Sequence, residues 1–527
     1  MSKPRKSKTE IEFGDFQTPD ELARLCCSLL TRRGIRPAAI LEPTCGRGSF
    51  LAAALQAFPK ARRAVGIEIN ADYLDDARSR IRRDVDDRRV IFRQEDFFSA
   101  DWETLLAELP DPLLIVGNPP WVTNSELGAL GSANLPAKSN FQHHTGIAAL
   151  TGKSNFDISE WMLIRALEWI NGREATLAVL CKATVARKAL LYAWSRGFQI
   201  RRAESFRVDA HKYFGAAVDA RFLVVTASPG WRSVECLDHD ELTEGSAATV
   251  FGICDGQLVA DTEMYRRWAH LRGGSPLVWR SGIKHDCAKV LELRREGNLF
   301  RNGLDELVEL EPHLLFPMLK SSEVAAPGEI QPKRWMLVTQ QRIGDETEVI
   351  RLTAPKTWHY LVSHADLLDR RSSSIYKGRP KFSVFGVGEY SFAPWKVAIS
   401  GFYKQIAFRA VGPCEAKPVV LDDTCYFLAC ESQSQAVALA ELLNSDAARQ
   451  FFSAFAFWDA KRPITVELLR QLNLLALADS LGIRDEARQE LERLTAAEFA
   501  SNHQESTSEE NFVRTTGSYH GQGPAIT

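Results

Sequence analysis

The sequence lacks the features of a membrane-spanning, secreted or metal-stabilised protein. It has no run of about 18 apolar residues, which a membrane-spanning helix requires, and its basic first residues are followed by no apolar core of signal-peptide length. Its ten cysteines form no CxxC pair, and the spacing of Cys425 and Cys430 predicts strand residues rather than zinc ligands. We therefore expect a cytoplasmic protein with reduced thiols, no bound metal and no membrane contact.

A surplus of charge of one sign is also missing. The chain has 65 Lys and Arg against 67 Asp and Glu, so its formal net charge is −2. Such a chain does not coat nucleic acid with its whole surface, and any contact must come from a local basic patch. Hydrophobic residues make up 45% and charged residues 25% of the 527 residues, which is typical of globular proteins. A chain of this length without an internal repeat predicts about two or three domains.

Short apolar runs alternate with helical patterns as far as residue 226, and this alternation predicts an α/β domain with a parallel sheet covered on both faces. Strands are predicted at 38–42, 63–69, 89–97, 112–120, 175–180 and 221–226. The pattern ends near Ser228, and an aromatic and basic composition begins near Leu304. The predicted domains are an α/β domain over 1–230, a connecting region over 231–303, a mixed α+β domain over 304–498 and a disordered tail over 499–527.

The segment LEPTCGRGSF (41–50) connects the first predicted strand to a helix. Its Gly46 and Gly48 allow a tight turn and the close approach of a ligand to the backbone, as in nucleotide-binding pockets. A dinucleotide-binding fingerprint would need glycine where the chain has Leu51. The turn indicates a nucleotide-type ligand, with an ordinary strand-to-helix turn as the alternative.

Acidic residues follow the next two predicted strands. Glu68 ends the second strand, where a carboxylate can accept both hydrogen bonds from a ribose diol. Asp96 ends the third strand and can bind an adenine amino group, while Phe97 can cover the face of the ring. Each carboxylate alone is more often a solvated loop residue. Together they lie at the carboxyl ends of strands, where open α/β sheets bind ligands.

The fourth predicted strand ends in the tetrapeptide Asn118, Pro119, Pro120 and Trp121. An exocyclic amine on an aromatic ring is a poor nucleophile because its lone pair is delocalised. The Asn118 side-chain oxygen and the Pro119 carbonyl can hold both amino hydrogens and direct the nitrogen lone pair at a methyl donor. The prolines remove backbone donors, and Trp121 offers a flat face to an extruded base. The tetrapeptide predicts methyl transfer to a ring-bound amine.

In this order, the segments resemble the γ-type adenine-N6 DNA methyltransferases of bacterial restriction-modification systems. Residues 13–19 (FGDFQTP) resemble the motif that precedes the cofactor turn in that family, and 154–167 resemble the motif after its catalytic loop. The resemblance implies a Rossmann-like class I methyltransferase domain with a mostly parallel seven-stranded sheet, a C-terminal target recognition domain, and S-adenosyl-L-methionine as cofactor. The cofactor-binding residues that it implies are Phe16, Thr18, Pro19, Glu42, Pro43, Cys45, Gly46, Gly48, Glu68, Asp96, Phe97 and Asn118.

Two motifs supply the aromatic residues of the predicted base pocket. Residues 213–225 resemble the family motif whose phenylalanine stacks on the second face of the flipped base, which gives that role to Phe214. A core aromatic before a strand is the alternative. Trp121 stands where the family more commonly has Tyr or Phe. The predicted catalytic residues are Asn118, Pro119, Pro120, Trp121 and Phe214.

A long polar segment, 122–155, follows the tetrapeptide. Loops of this length beside a catalytic motif are usually functional, and we expect this one to close over DNA or cofactor. Its Gly-Lys-Ser at 152–154 does not complete a phosphate-binding loop, because Ile147 stands at the required glycine position and no strand precedes it.

The basic stretch RRSSSIYKGRPK (370–381) combines cations with hydroxyl and aromatic residues suited to phosphate oxygens and base edges. With 311–324 and the strand-prone segment 382–404, it resembles the target recognition region of the same family. A solvated loop is the alternative. The residues predicted to bind DNA are Arg370, Arg371, Lys377, Arg379, Lys381 and Lys396.

The sequence therefore predicts a site-specific enzyme of restriction-modification or phage defence that methylates the N6 amino group of a flipped adenine without a metal. Double-stranded DNA is the expected partner, which would place the protein at the bacterial nucleoid. Any restriction activity is expected on a separately encoded endonuclease. Methylation of cytosine N4, of an RNA base or of a protein glutamine are alternatives, as is a catalytically silent DNA-binding scaffold.

Overall fold

The computed structural model describes residues 17–85, 88–122, 157–243, 245, 248–274 and 277–483. The chain divides into two compact units, Met1–Thr262 and Glu263–Thr527. The predicted connecting region at 231–303 is split between them, because residues 235–259 add strands to the sheet of the first unit. In the described ranges, no helix combines the length and the apolar character that crossing a bilayer requires. The predicted tail at 499–527 lies outside these ranges.

The first unit is built on one sheet. Its strands are β1 (Ala39–Glu42), β2 (Arg63–Glu68), β3 (Val90–Gln94), β4 (Leu113–Gly117), β5 (Ala175–Lys182), β6 (Ile200–Val208), β7 (Ala220–Ala227), β8 (Glu235–His239), β9 (Ala248–Cys254) and β10 (Gln257–Val259). They lie in the order β10-β9-β8-β6-β7-β5-β4-β1-β2-β3. Strands β1 to β5 are parallel, and β7 is antiparallel to both of its neighbours.

This sheet confirms the predicted α/β architecture and corrects the predicted number of strands. The described sheet has ten strands instead of seven, because β8 adds in parallel to β6 and is followed by the antiparallel strands β9 and β10. The central strand β4 is buried along its whole length, as expected of a parallel strand covered on both faces.

Seven helices of the described ranges accompany this sheet. They are α1 (Asp20–Arg32), α2 (Ser49–Ala57), α3 (Ala71–Asp84), α4 (Trp102–Ala107), α5 (Ile158–Ile170), α6 (Ala183–Ser195) and α7 (Ala210–Phe214). Side-chain caps set several starts: Asn70 accepts hydrogen bonds from the first turn of α3, and Asp157 does the same for α5. Helices α1 and α2 share one core with the central strands, around Leu22, Phe50 and Phe222.

The second unit contains two sheets. The larger has the order β14 (Leu307–Val308), β13 (Leu299–Arg301), β12 (Glu292–Glu296), β16 (Arg334–Leu337), β15 (Leu315–Leu319) and β19 (Val420–Leu421), and the smaller has the order β11 (Arg280–Ser281), β20 (Cys425–Cys430), β17 (Trp395–Ser400) and β18 (Arg409–Val411). This unit confirms the mixed α+β prediction for the C-terminal half.

Helices of the second unit are short for the most part. They are α8 (Thr262–Trp268), which begins at the unit boundary, α9 (Ala288–Leu291), α10 (Ser321–Ala325), α11 (Ile350–Thr353), α12 (Pro355–Ser363), α13 (Ala365–Asp369), α14 (Gln433–Leu443), α15 (Asp446–Phe455), α16 (Val466–Leu469) and α17 (Leu474–Ser480). One core forms around Leu293, Trp335 and Phe382. A second core, around Phe408, Phe451 and Leu472, packs α14 to α17 against the smaller sheet.

Candidate functional site

The glycine turn between β1 and α2 lies against the end of β2. Gly46 and Gly48 have φ angles of 50° and 77°, a left-handed region that glycine adopts without strain. The Cys45 N–H donates to the Ile67 carbonyl at 2.7 Å. A Cβ at position 48 would lie 3.0 Å from the Cβ of Ala77, so a larger residue there would press against α3. The predicted turn is therefore held in a narrow space.

Glu68, at the end of β2, faces this turn and is 8% exposed. Its Oε2 accepts a hydrogen bond from the Gly46 N–H and its Oε1 one from the Asn70 N–H, both at 2.9 Å. Glu68 both fixes the turn and lies where a ligand seated on the turn would meet a carboxylate.

Glu42 lies between the glycine turn and the tetrapeptide. Its Oε2 accepts a hydrogen bond from the Leu51 N–H at 2.9 Å, and a Cβ on Gly117 would lie 3.4 Å from its Cγ. Burial raises the pKa of Glu42, and the charge of Glu68 also raises it, although the bond from Leu51 opposes them. One buried side chain therefore lies between the start of α2, which follows the glycine turn, and the end of β4, which precedes the tetrapeptide.

The tetrapeptide leaves the sheet at the same end as the glycine turn. Strands β1 and β4 are parallel neighbours, with Leu41 opposite Ile115, so Pro43 and Asn118 follow adjacent strands. Asn118 is half-buried with a buried Oδ1, and Pro119 is buried. The two predicted acceptors thus follow the central strand of the sheet, where ligands of open α/β sheets bind.

Trp121 and Phe214 are brought into contact. Their ring centroids are 5.3 Å apart and their planes are inclined by 66°, which is an edge-to-face arrangement. Trp121 is buried, while Phe214, at the end of α7, is half-buried. A base stacked between them needs roughly 3.5 Å on each face, so the two rings must separate to admit one.

Asp96 and Phe97 follow β3. Asp96 is half-buried, and its Oδ1 accepts a hydrogen bond from the Phe98 N–H at 3.0 Å. Phe97 is 5% exposed, and the ring predicted to cover an adenine is itself surrounded by other rings. Its neighbours, at centroid distances of 5.0 to 5.8 Å, are Phe98, Trp102, Trp161 and Trp169.

The residues that precede α1 also lie against the glycine turn. Gln17 Oε1 accepts a hydrogen bond from the Arg47 N–H at 3.4 Å, and Thr18 is buried. Pro19 is the N-cap of α1. Sequence analysis did not single out Gln17, although it lies inside the FGDFQTP motif. Phe16 and the segment 123–155 of the predicted closing loop lie outside the described residues.

Two cations predicted to bind DNA are directed into the second unit. Lys396, in β17, is 1% exposed, and its Nζ donates to the Ala393 carbonyl at 2.6 Å. The assignment of Lys396 to DNA is wrong, because a buried ammonium cannot reach a phosphate. Arg371 is half-buried and donates to carbonyl oxygens of its own unit. The other cations of the prediction are exposed, namely Arg370, Lys377, Arg379 and Lys381.

Three residues of the second unit are close enough to hold a metal ion, namely His285, Glu292 and Asp422. Lys320 Nζ lies 2.5 Å from Glu292 Oε1 and 4.0 Å from Asp422 Oδ2. His285 Nδ1 accepts from the Cys287 N–H, which leaves Nε2 to donate to Glu292 Oε1 at 3.2 Å. Burial raises the pKa of Glu292, but the bonds from His285 and Lys320 outweigh it and leave the pKa lowered. The group is thus a hydrogen-bonded ion network that includes the cations Lys320 and Arg334.

Comparison with known proteins finds a relative that matches over most of the chain and solved structures of similar fold. No family model matches the chain. The type II methyltransferase M.NspV of Nostoc sp. is 44% identical over 472 residues, which are 89% of this chain and 98% of that protein. The solved structure of the type IIL restriction-modification enzyme MmeI in complex with DNA has a TM-score of 0.52 at 12% identity and covers 88% of this chain. The chain spans 65% of the length of MmeI.

Proposed function

Because this chain belongs to the family of type II methyltransferases, we propose that it methylates the N6 amino group of an adenine within a specific site of double-stranded DNA. The relative of 44% identity establishes that it is a methyltransferase. The parallel sheet and the likeness to MmeI confirm the class I methyltransferase fold. Beyond the family and the fold, we propose the identity of the methylated base, of the methyl donor and of the DNA substrate.

The observation that carries the proposal is the proximity of the glycine turn and the tetrapeptide. Glu42 contacts Leu51 on one side and packs beside Gly117 on the other. A ligand on the turn and a ring amine at Asn118 would therefore lie side by side at the ends of β1 and β4. Such positioning of two reactants can supply several kcal/mol of a barrier, on the order of 7–11 in the best cases.

The carboxylates at the turn and after β3 suit S-adenosyl-L-methionine as hydrogen-bond acceptors. Glu68 offers a buried carboxylate to a ribose diol, and Asp96 offers one to an adenine amino group. The bound cofactor would supply a methyl group on a positively charged sulfur. The role proposed for Phe97 is a packing contact from within the aromatic cluster, since its face is covered by other rings.

Asn118 and Pro119 would bind and orient the target amine. The Asn118 Oδ1 and the Pro119 carbonyl would accept its two hydrogens, which turns the nitrogen lone pair out of conjugation and toward the methyl donor. Trp121 and Phe214 would hold the ring from its two faces after separating from their mutual contact. The solved complex of MmeI with DNA and the resemblance to the γ-type enzymes support DNA as the target.

Incubation of the protein with methyl-labelled cofactor and plasmid DNA, followed by digestion to nucleosides, tests the proposal. We expect label in N6-methyldeoxyadenosine. Label in N4-methyldeoxycytidine would transfer the same chemistry to cytosine. Parallel incubations with RNA and with protein in place of the plasmid complete the test: label there but not in DNA would refute the DNA substrate, and no transfer to any of them would refute the activity.

The Asn118→Ala variant tests the role of the tetrapeptide. We expect it to bind cofactor as the wild type does and to lose methyl transfer by about 100-fold or more, since one preorganised acceptor is removed. Cofactor binding by calorimetry and label incorporation measure the two effects separately. Wild-type turnover in this variant would remove Asn118 from the reaction.

A further inference from the structure

The basic loop, defined as residues 370–381, contains five cations and no carboxylate. It follows α13 and includes the short 3₁₀ helix Ser374–Tyr376. The chain as a whole is nearly neutral, with a net charge of −2. Concentrated charge of one sign repels itself and opposes compact folding. We therefore expect the cations of this loop to serve a function.

Arg371 fixes the start of the basic loop. Its guanidinium lies 3.8 Å from the centroid of the Tyr376 ring. It also donates to the carbonyls of Leu368 at 2.8 Å, His285 at 3.2 Å and Ser383 at 2.7 Å. A planar guanidinium with five N–H donors suits such a junction. Arg371 thereby links the two ends of the loop to the segment that follows β11.

Tyr376 fixes the middle of the loop to the same segment. Its hydroxyl donates to the Lys284 carbonyl at 3.3 Å, and its ring meets Phe385 edge-on at 6.1 Å. Just after the loop, Lys284 and Phe385 exchange two backbone hydrogen bonds of 2.8 and 2.9 Å. The backbone of the loop is therefore attached at several points.

The other four cations of the basic loop are exposed, namely Arg370, Lys377, Arg379 and Lys381. Within the described part of the chain, none of them lies within 4.0 Å of a carboxylate oxygen. The Arg379 guanidinium lies 5.7 Å from the centroid of the Phe385 ring and keeps its charge without a counterion. Two exposed cations elsewhere in this unit, Arg342 and Lys356, are by contrast paired with glutamates. The loop thus combines an anchored backbone with cations that lack protein counterions.

We propose that the basic loop binds the phosphate backbone of duplex DNA, with Arg371 and Tyr376 as positioning residues and the four exposed cations as the contacts. This inference rests on the proposed function for the identity of the polyanion. Unpaired lysine and arginine side chains on an anchored loop suit phosphate oxygens, which carry no sequence information. Base reading would then come from other parts of the second unit.

The test is the salt dependence of DNA binding by the full-length chain. Fluorescence anisotropy of a labelled duplex, titrated at several salt concentrations, gives the slope of log K against log salt. That slope is negative, and each lost phosphate contact makes it shallower by roughly 0.9, so the double variant Lys377→Gln/Arg379→Gln should make it shallower by about 1.8. The matched control Arg449→Gln/Lys461→Gln removes two exposed cations next to the other core of this unit and should leave the slope unchanged. An unchanged slope in the loop variant, or a slope in the control that becomes shallower by the same amount, would overturn the proposal.

Arg371→Lys separates positioning from charge. It keeps the cation but loses the fork that reaches three carbonyls, so we expect weaker DNA binding together with faster trypsin cleavage after Lys377. Weaker binding with wild-type cleavage, or wild-type binding, would contradict the positioning role. Tighter binding of duplex RNA than of duplex DNA by the wild type would reassign the loop to RNA.

Methyl transfer distinguishes a failure of this inference from a failure of the proposed function. If the wild type methylates plasmid DNA and the loop variant keeps the wild-type salt slope, the loop assignment fails alone. If the salt slope of the loop variant is shallower than that of the wild type but the wild type transfers no methyl group, the proposed activity fails and the DNA-binding loop stands.

Discussion

Lys396→Met should stabilise the protein at neutral pH, because the wild-type ammonium is buried and no carboxylate of the described residues pairs with it. Lys396 is 1% exposed, and its Nζ donates to the Ala393 carbonyl and lies 5.9 Å from the centroid of the Phe427 ring. Burial lowers the pKa of Lys396 to about 7, whereas an unfolded chain keeps a lysine pKa of about 10.4. That difference corresponds to a destabilisation of about 4–5 kcal/mol below pH 7.

The pH dependence follows from the same two values. Below pH 7 both states bind the proton, and the full penalty is present. Between about pH 7 and pH 10 the unfolded state binds more protons than the folded state, so the wild type gains stability as the pH rises. Methionine removes this dependence and loses one hydrogen bond, worth about 1 kcal/mol. We expect the variant to exceed the wild type by about 2–4 kcal/mol at pH 7.5 and to lose this advantage by pH 10.

Guanidinium unfolding of both proteins at pH 7.5, 8.5 and 9.5, followed by circular dichroism, measures the difference between them. Taking the difference removes the contributions of the other titrating groups. Lys396→Arg is the matched control, since a guanidinium cannot be deprotonated and should destabilise at every pH. A methionine variant less stable than the wild type at pH 7.5, or a difference that does not change with pH, would refute the reasoning.

Two further substitutions test the glycine turn and the aromatic cluster. Gly48→Ala should weaken cofactor binding at least tenfold in calorimetry, because its Cβ would meet that of Ala77 at 3.0 Å. The control Gly172→Ala has a similar φ of 80° with open space around it and should leave cofactor binding intact; equal losses would indicate a global effect. Phe97→Ala should destabilise by about 3–5 kcal/mol through the cavity it leaves beside Trp102, and a loss of cofactor affinity without a change in Tm would instead restore its predicted role at the adenine.

Local sequence patterns predicted the parts of the site that one strand and one turn determine. LEPTCGRGSF specifies a strand followed by two left-handed glycines. Glu68 ends the next strand, which the alternation of strand and helix patterns also predicts. Because the carboxyl ends of parallel strands meet at one edge, the proximity of Gly46, Glu68 and Asn118 could be expected. This proximity follows from the order of the strands and turns, without knowledge of how side chains from distant segments pack.

Contacts between distant segments could not be predicted in this way. Lys396 belongs to a basic and aromatic stretch, and only the pairing of β17 with β18 and β20 places its side chain in the interior. The extension of the first sheet by β8 depends on pairing with β6, which no local pattern specifies. The anchoring of Arg371 to the carbonyl of His285 joins positions far apart in the chain.

The contact between Trp121 and Phe214 has a consequence for discrimination among substrates. An aromatic pair of this kind is worth about 1 kcal/mol beyond the area that it buries, and Trp121 belongs to the core of the first unit, so separating the rings costs more free energy than that. Every nucleobase that enters would incur this cost of separating the rings, whatever sequence flanks it. A mismatched or already unstacked adenine saves the cost of leaving the duplex and would gain occupancy over a well-paired one. Fidelity toward intact sites would then depend on contacts made outside the ring pocket.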